Sequence, residues 1–520
     1  MSGIFMLKYP YYKNSEVFSM DFGALSLLPS LIAIGLAIKT KNVIFSLFCG
    51  CLTGVLLLCH GNPFLASKAL IGDYFFKQVM DSYNAGNIVL ILFIGGFIKL
   101  LENGGGAQSF AKYVHKVVDT PLKAQLGAWL GGVVIFFTDL GTALLVGPVF
   151  RPLFDKLKLS REKLAWVLDS TSSPVAVLIP FIGWGVYIMG LVEAQFKNLH
   201  VDVSDYETFM QAIPFQIYTI LAVIMIPLIA ITKKDFAAMK AAEDAVADKP
   251  VPEEMEDDYV APVDEDGYSL GNSNPLMLIL PILAVFATLV IDLAPLGFPF
   301  AKIPGNAFRV ALTTGYFLAG VLLMVMIYCL KVKKPKETFS IYVKGMVNMT
   351  EVAIILLLAW SLSAMIGKLG TAKYIIGILQ SINFTPILIP ACIFLFGAVI
   401  SFSTGSSWGT FAMLMPLAIP MGHAFGISYA ICLGAVLSGG LFGDHCSPLS
   451  DTTILSSMGA ECNLVDHVRT QLPYASINGV LAFIGFIIAG ITGSAISTAI
   501  SVGLLLVVIF GWNYYERKHM

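Results

Sequence analysis

Apolar runs long enough to span a membrane recur along nearly the whole chain, and they constrain its fold more than any other feature. Residues 128–149, 164–191 and 310–330 are examples, and each can cross ~30 Å of hydrocarbon as a helix. The bilayer core offers no water, so such a run must satisfy its own backbone polar groups. The chain is also only 13% charged, where a soluble domain would carry roughly twice that fraction. The sequence therefore predicts an all-α polytopic membrane protein with about 11 to 13 transmembrane helices.

One polar segment, residues 439–453, stands late in this apolar chain with the sequence Gly-Gly-Leu-Phe-Gly-Asp-His-Cys-Ser-Pro-Leu-Ser-Asp-Thr-Thr. Polar groups at membrane depth are costly, so a segment that concentrates them is expected to be functional. The glycines and Pro448 predict an interrupted helix whose freed carbonyls and amides face a cavity. A cation or proton pathway requires these features. The candidate binding residues in this segment are Asp444, His445, Ser447, Asp451 and Thr452.

Structural roles are also open for some of these polar residues. Asp451 precedes the apolar residues of a new helix and could serve as its N-cap. His445 suits a proton-linked role near neutral pH, but a histidine that is merely hydrogen-bonded to a neighbour would look the same in the sequence. Asp466, His467 and Arg469 are expected at a loop or helix end, in a structural role.

The two halves of the chain carry matching interruptions. Each half has a hydroxyl- and glycine-rich break inside an apolar run, at residues 137–145 and 403–410. Each then has a segment that begins with Asp and ends in Ser-Pro, at 169–174 and 444–448. Paired interruptions at corresponding places predict two inverted repeats with discontinuous helices around a midplane site. Chance similarity between short hydroxyl-rich strings is the alternative.

The other breaks supply further candidate ligands, because carboxylates, hydroxyls and freed carbonyls are hard oxygen ligands suited to Na+. Asp139 lies deep in an apolar run, where it is a ligand, a proton carrier or half of a buried ion pair, unless it caps the following helix. The hydroxyls can likewise cap or bend their own helices. The candidates are Asp139, Thr142, Asp169, Ser170, Thr171, Ser172, Ser173, Ser403, Thr404, Ser406 and Ser407.

Loop charges set the expected topology and domain order. The basic loops at 151–163 and 331–336 are predicted to be cytoplasmic, in a bacterial inner membrane, which puts the acidic segment between the halves on the same side. A net charge of −2 without a clustered basic stripe gives no indication of a nucleic-acid partner. The expected partners are the lipid bilayer and a small cation or organic solute.

The predicted domain order follows from these charges and from the two matching halves. It is a tail at 1–23, a first repeat half at 24–232, an acidic cytoplasmic linker at 233–274, a second repeat half at 275–513 and a tail at 514–520.

Several strings together resemble the NhaC family of Na+/H+ antiporters. The most specific is 442–453, continued by 467–474, and residues 139–153, 169–176 and 404–410 resemble the family as well. The resemblance implies two inverted repeats with a midplane site between discontinuous helices. It also implies a homodimer, with Na+ and H+ as transported ions and no cofactor.

The leading functional hypothesis is secondary active Na+/H+ antiport. Cation and proton would compete for Asp139, Asp169 and Asp444, and competition for a shared carboxylate couples the two fluxes. Family members often carry two adjacent acidic residues at the first break, where this chain has Thr138-Asp139-Leu140. The missing carboxylate leaves room for a Na+-coupled organic substrate.

The alternative hypothesis is therefore a Na+- or H+-coupled transporter of a small organic carboxylate or amino acid. Half-helix N-termini near Gly141 and Gly409 would hold the substrate's anion, and Trp184 and Trp408 would line its apolar side. An enzyme is not expected, because the consecutive residues 444–447 point in different directions and the chain lacks a metal-ligand spacing.

Overall fold

The computed structural model describes residues 22–106, 109, 118–247, 272–298 and 303–519, and for 139–141, 144, 305 and 512–519 it describes the backbone alone. Within these residues every regular element is a helix, which confirms the predicted all-α class. The α-helices are α1 (Leu28–Thr40), α2 (Val43–Leu58), α3 (Pro63–Ala69), α4 (Phe76–Met80), α5 (Ser82–Asn103), α6 (Pro121–Val134), α7 (Asp139–Lys156), α8 (Arg161–Thr171), α9 (Ser173–Val177), α10 (Gly183–Leu199), α11 (Asp205–Ala212), α12 (Ile217–Thr232), α13 (Ala237–Ala247), α14 (Leu276–Leu293), α15 (Gly305–Cys329), α16 (Pro335–Asn348), α17 (Thr350–Leu369), α18 (Thr371–Ser381), α19 (Ile389–Thr404), α20 (Ser407–Phe425), α21 (Tyr429–Cys446), α22 (Asp451–Ala460), α23 (Leu464–Thr492) and α24 (Ile496–His519).

Among the described residues, fewer helices are long enough to span a membrane than the 11 to 13 that the sequence predicts for the chain. In the described part of the chain seven helices are long and apolar enough to cross a membrane, or ten if three bent helix pairs each count as one span. The difference arises because the structure divides the apolar runs 128–149 and 164–191 into shorter helices. For example, α8 has 11 residues, too few to cross ~30 Å of hydrocarbon. The protein is a multi-pass membrane protein with several broken spans.

All four predicted interruptions coincide with helix ends. They separate α6 from α7, α8 from α9, α19 from α20, and α21 from α22. At the third of them Gly405 has a φ of 67°, in the left-handed region that favours glycine. Ser406 then caps α20 by accepting a hydrogen bond from the Gly409 backbone N–H at 3.1 Å. Discontinuous helices are therefore confirmed, and the inverted relation between the halves stays a prediction.

The glycines of the polar segment do not interrupt their helix. The sequence predicts a break among Gly439, Gly440 and Gly443, but α21 continues through all three to Cys446. A Cβ atom at Gly439 would lie 2.3 Å from the backbone oxygen of Phe394, so α21 packs directly on the backbone of α19. Small residues permit such close approach between membrane helices. The interruption follows at 447–450, around Pro448.

The two halves meet where the broken helices pack together. α7 and α8 of the first half pack against α22 of the second, and α8 and α12 pack against α23. Gly147 and Gly459 allow the closest approach, because a Cβ atom at Gly147 would lie 2.5 Å from the Gly459 backbone oxygen. This interface places residues that are about 300 positions apart in sequence side by side.

The predicted linker begins with a helix, α13, that was not expected from the sequence. α13 packs against α8 and α23, and Met239 on it is fully buried. The ammonium group of Lys163 on α8 lies 2.6 Å from Asp235 and 2.9 Å from Glu243. Residues 248–271, which carry the acidic run of the linker, lie outside the described residues, and the predicted domain boundaries stay predictions.

Candidate functional site

A buried polar cluster lies where α8, α12, α21, α22 and α23 pack together. Its side chains come from both halves of the chain, and none is more than 7% exposed. We call these side chains the central cluster. Its members are Asp169, Tyr218, Asp444, His445, Ser450, Thr452, Thr453, His467 and Gln471.

Asp169 lies in the first half of the chain and forms two hydrogen bonds with residues of the second half. Its Oδ2 atom accepts hydrogen bonds from Thr453 Oγ1 at 3.0 Å and from Gln471 Nε2 at 2.6 Å. The Nε2 atom of His467 lies 3.6 Å from the same oxygen. Charge-assisted hydrogen bonds are among the stronger polar contacts in proteins, so this fully buried carboxylate joins α8 to α22 and α23.

Asp444 is held within the second half by hydroxyl groups. Its Oδ2 atom accepts from Ser450 Oγ at 2.8 Å and from Thr452 Oγ1 at 3.0 Å. The two hydroxyl oxygens are themselves 3.0 Å apart. Ser450 is the N-cap of α22, and Thr452 lies in the first turn of that helix. The result is a compact group of three side chains that offers only oxygen atoms, the ligand type that hard cations prefer.

His445 and Gln471 connect these two carboxylates through the core. The Nδ1 atom of His445 is 3.0 Å from the Tyr218 hydroxyl. Gln471 Nε2 donates to the backbone oxygen of His445 at 2.9 Å as well as to Asp169. The side-chain amide of Gln471 therefore joins Asp169 on α8 to the end of α21. Because Asp444 directly precedes His445, this amide also links the two carboxylates through the backbone of α21.

Several buried polar atoms in this region have no hydrogen-bond partner among the described residues. A buried polar atom without a partner costs free energy, so such atoms are usually few and their concentration needs an explanation. A site that exchanges a cation or a proton gives one. The unpartnered atoms include Asp169 Oδ1, Ser173 Oγ, His445 Nε2, both ring nitrogens of His467 and Gln471 Oε1.

Most candidate hydroxyls of the first half donate hydrogen bonds to backbone oxygens nearby in the chain, which agrees with the alternative that they cap or bend their own helices. Thr142 donates to the backbone oxygen of Thr138 at 3.1 Å, and Thr171 donates to that of Val167 at 2.7 Å. Ser172 donates to the backbone oxygen of Asp169 at 2.9 Å. The remaining candidates here are Ser170 and Ser173, both buried beside Asp169 in sequence.

Hydroxyls of the second half behave similarly outside the central cluster. Ser403 and Thr404 donate to backbone oxygens one turn earlier in α19, at 2.7 and 2.9 Å, and Ser407 is buried at the start of α20. Ser447, which directly follows α21, donates to the backbone oxygen of Phe402 near the end of α19 at 2.8 Å. The amide of Gly409, which the sequence assigned to a substrate anion, is occupied by the Ser406 cap.

Asp139 and Asp451 are the other two carboxylates that the sequence predicts for the site. α7 begins at Asp139, but the side chain of Asp139 lies outside the described residues. Asp451 is exposed rather than buried, and it lies one position inside α22. The capping role predicted for Asp451 belongs to Ser450, whose Oγ accepts from the Thr453 backbone N–H.

Asp451 lines a wide cavity between the halves of about 800 Å³. Lys41, Glu351, Thr404 and Ser406 also line this cavity. Its volume falls within the range of small-molecule sites, about 300–1,000 Å³. The tryptophans predicted to line an organic substrate are packed on each other instead. The ring centres of Trp184 and Trp408 are 4.4 Å apart.

Several members of the central cluster were not predicted from the sequence. His467 was expected in a structural role, whereas its ring lies beside Asp169 in the structure. His467 and Gln471 are four residues apart, so they share one helix face, and this spacing was readable from the sequence. Tyr218 lies inside an apolar run without any distinguishing signal, and Thr453 was quoted only as part of a longer motif.

A multi-pass helical protein whose broken helices gather buried carboxylates from both halves has the architecture of a secondary transporter. A family model described as the Na+/H+ antiporter family matches residues 15–181 and 175–491. The chain therefore belongs to this family, and the resemblance to NhaC proteins is confirmed. The family comprises transporters rather than enzymes.

Individual relatives span the chain to different extents. An uncharacterized protein of Haemophilus influenzae is 32% identical over 98% of this chain and 99% of its own. The malate-2H+/Na+-lactate antiporter of Bacillus subtilis is 32% identical over 41% of this chain and 43% of its own. The Na+/H+ antiporter NhaC of Alkalihalophilus pseudofirmus is 38% identical over 18% of this chain and 20% of its own.

A solved structure supports the fold. The YdaH transporter of Alcanivorax borkumensis, described as having an unusual topology, aligns with a TM-score of 0.56 over 83% of this chain and 88% of its own. The sequence identity is 17%, so this likeness concerns the fold alone.

Proposed function

We propose that the protein is a Na+/H+ antiporter in which cation and proton compete for the buried carboxylates of the central cluster. The observation that carries the proposal is the burial of Asp169 and Asp444 at the interface of the two halves, with hydroxyl ligands beside them. An ionised carboxylate in such surroundings needs a compensating partner, which either Na+ or H+ supplies. Asp139 is proposed as a third carboxylate of the pathway, on sequence grounds alone.

The coupling follows from the requirement that the charge be compensated. A cluster that releases Na+ on one side of the membrane takes up H+ before it returns, and the reverse exchange restores the cation. The bonds from Thr453 and Gln471 to Asp169 join the halves, so a change of ligand at Asp169 alters the contact between α8 and the pair α22–α23. Relative movement of these elements would open the site to alternate sides.

Sidedness follows from the basic loops at 151–163 and 331–336, which we assign to the cytoplasm of a bacterial cell. This assignment places the linker and α13 on the cytoplasmic side of the inner membrane. It also places α8 with its N-terminal end at the cytoplasm and its carboxylate toward the centre of the bilayer. The homodimer stays an expectation from the family resemblance.

The test uses proteoliposomes with an acid interior and a trapped pH-sensitive dye. Na+, Li+ or K+ is added outside, one at a time. We expect Na+ or Li+ to dissipate the pH gradient in wild-type vesicles and in the Asp119→Asn control, whose exposed carboxylate pairs with Lys123. Asp444→Asn vesicles are expected to give no response. A full response in Asp444→Asn would overturn the proposed site, and no wild-type response to any cation would overturn Na+/H+ antiport.

A second candidate function is Na+- or H+-coupled exchange of a small organic carboxylate or amino acid. The cavity of about 800 Å³ favours it, because its volume suits such a solute and Lys41 lies in its lining. The relative named as a malate-2H+/Na+-lactate antiporter adds support. In the same vesicles, a pH change that requires added malate or lactate together with Na+ would establish this function instead.

A further inference from the structure

Four consecutive residues, Leu449 to Thr452, contact both the central cluster and the cavity of about 800 Å³. Leu449 and Asp451 line the cavity. Ser450 and Thr452, which alternate with them, donate hydrogen bonds to Asp444 at 2.8 and 3.0 Å. Asp451 is exposed, whereas Ser450 and Thr452 are buried. This stretch therefore has one side in the cavity and the other against a carboxylate of the cluster, and we call it the cavity wall.

Contacts between the two interruptions of the second half hold the cavity wall in place. A Cβ atom at Gly405, which also lines the cavity, would lie 2.5 Å from the Leu449 backbone oxygen, so the two backbones touch directly. The bond from Ser447 to the Phe402 backbone oxygen, at 2.8 Å, lies beside this contact in sequence. Residues between helices can absorb a large backbone change while the helices themselves stay intact. The wall can therefore separate from the end of α19 without unfolding α21 or α22.

The charged residues of the cavity lining in the described chain are Lys41, Glu351 and Asp451. All three side chains are exposed, and when they are ionised they carry one net negative charge. A cleft with an excess of one charge raises the local concentration of the opposite ion. Asp451 also interacts electrostatically with Asp444, so the charge of the cavity acts on the cluster behind the wall.

The uncharged part of the lining favours the same ion. Apolar side chains of α2 and α17 form most of it, and low-dielectric walls of this kind focus the field of the charges between them. The hydroxyl oxygens of Thr404 and Ser406 belong to the lining as well. They are the hard ligands that alkali cations prefer. The cavity is thus arranged to admit a small cation and to hold it close to Asp444.

We propose that the cavity is the vestibule through which the alkali cation reaches Asp444, an inference that rests on the proposed function. Asp451 and Glu351 concentrate the cation in this vestibule, and Lys41 opposes them. In this structure the cavity wall closes the cluster to the vestibule, and separation of the wall from Gly405 opens it. Because Ser450 and Thr452 bond to Asp444, a change of ion at Asp444 acts directly on the wall.

The first test measures the initial rate of Na+-driven dissipation of the pH gradient against Na+ concentration, in proteoliposomes at low ionic strength. Asp451→Asn removes a charge and preserves size, and we expect the half-saturating Na+ concentration to rise about two- to fivefold. Lys41→Met should lower it by a similar factor. Both effects should fall on this concentration more than on the maximal rate. Both should shrink when choline chloride raises the ionic strength, because salt screens exposed charges.

Asp119→Asn and Lys123→Met are the matched controls for the two changes of charge. Asp119 and Lys123 form an exposed ion pair with each other, and neither lines the cavity. Both controls should keep the wild-type half-saturating concentration. The direction found for Lys41→Met also separates two occupants, because a vestibule for an organic anion would be weakened by loss of this ammonium group.

The second test blocks the cavity. Asp451→Cys is treated with a bulky, water-soluble maleimide, and labelling is verified by the increase in protein mass. We expect the labelled variant to lose Na+-driven dissipation of the pH gradient. The wild type, with its own cysteines, and Asp119→Cys should keep it after the same treatment. Monodisperse elution shows that each variant is folded.

The outcomes separate the two proposals. Absence of a wild-type response to any cation contradicts the proposed function itself. The vestibule is contradicted, while the proposed function stands, by equal half-saturating concentrations in Asp451→Asn, Lys41→Met and their controls. Full antiport by labelled Asp451→Cys, or a cysteine there that the maleimide does not reach, contradicts it equally.

Discussion

At the scale of single residues, burial makes each contact of the central cluster costly to lose. Asp169 and Gln471 are both almost completely buried, and the amide of Gln471 serves two acceptors on different helices. Removing a donor from a buried charged acceptor costs about 1–3 kcal/mol, more than the bond itself contributes. Gln471 is therefore as important for the arrangement of the cluster as the carboxylates that we propose as ion ligands.

Gln471→Leu should lower both stability and transport. The substitution leaves Asp169 Oδ2 and the His445 backbone oxygen short of one donor each, and we expect destabilisation of about 1–3 kcal/mol. The measurement is thermal unfolding of the purified protein, with Gln211→Leu as control, because Gln211 is exposed and bonds only within its own helix. An unfolding midpoint equal to that of the control would contradict the bridging role.

At the scale of helices, the sequence predicted where the interruptions lie but not which helices pack together. Glycine, proline and hydroxyl residues act locally on the backbone, so Gly405 and Pro448 marked two breaks correctly. Gly439 and Gly443 misled the prediction, because the same residue type also serves close packing between helices. The contact of α8 with α23 joins positions about 300 residues apart, and no local signal in one sequence specifies such a pairing.

α13 is a packed helix that could not be predicted from the composition of its segment. Its residues belong to an acidic stretch that reads as a solvated linker, yet Lys163 is only 4% exposed and pairs with Asp235 and Glu243. Tyr474 on α23 also donates to Asp235 at 2.8 Å. α13 is thereby fastened to the two helices that carry Asp169 and Gln471.

Lys163→Met should release α13 from this position. The change leaves two carboxylates without their buried cation, and removal of one partner of a buried pair costs about 3 kcal/mol or more. We expect faster hydrogen exchange of the α13 amides than in Lys158→Met, which loses only a contact of an exposed lysine with the Ala247 backbone oxygen. Adding Asp235→Asn and Glu243→Gln to Lys163→Met should restore much of the protection. Unchanged exchange in Lys163→Met would show that α13 is held by its apolar face alone.

At the scale of the whole molecule, the halves are joined by close backbone packing as well as by the polar cluster. A Cβ atom at Gly459 would lie 2.3 Å from the Ala143 backbone oxygen, and one at Gly147 would lie 2.5 Å from the Gly459 oxygen. α7 and α22 thus approach more closely than any side chain larger than hydrogen permits. The distance between the halves, and with it the distance from Asp169 to Thr453, depends on these two glycines.

Gly459→Ala and Gly147→Ala should therefore separate the halves and impair transport without touching a polar group. The added methyl group must displace backbone rather than a flexible side chain, and overpacking of this kind costs about 1–3 kcal/mol. Gly503→Ala is the matched control, since a Cβ atom there meets no neighbour within 4 Å and alanine favours a helix. We expect both interface variants to lose Na+-driven dissipation of the pH gradient and thermal stability, whereas the control keeps both. Because the central cluster is chemically intact in these variants, their failure would be due to the spacing of the halves, and wild-type transport in Gly459→Ala would mean that α7 and α22 can separate without consequence for the site.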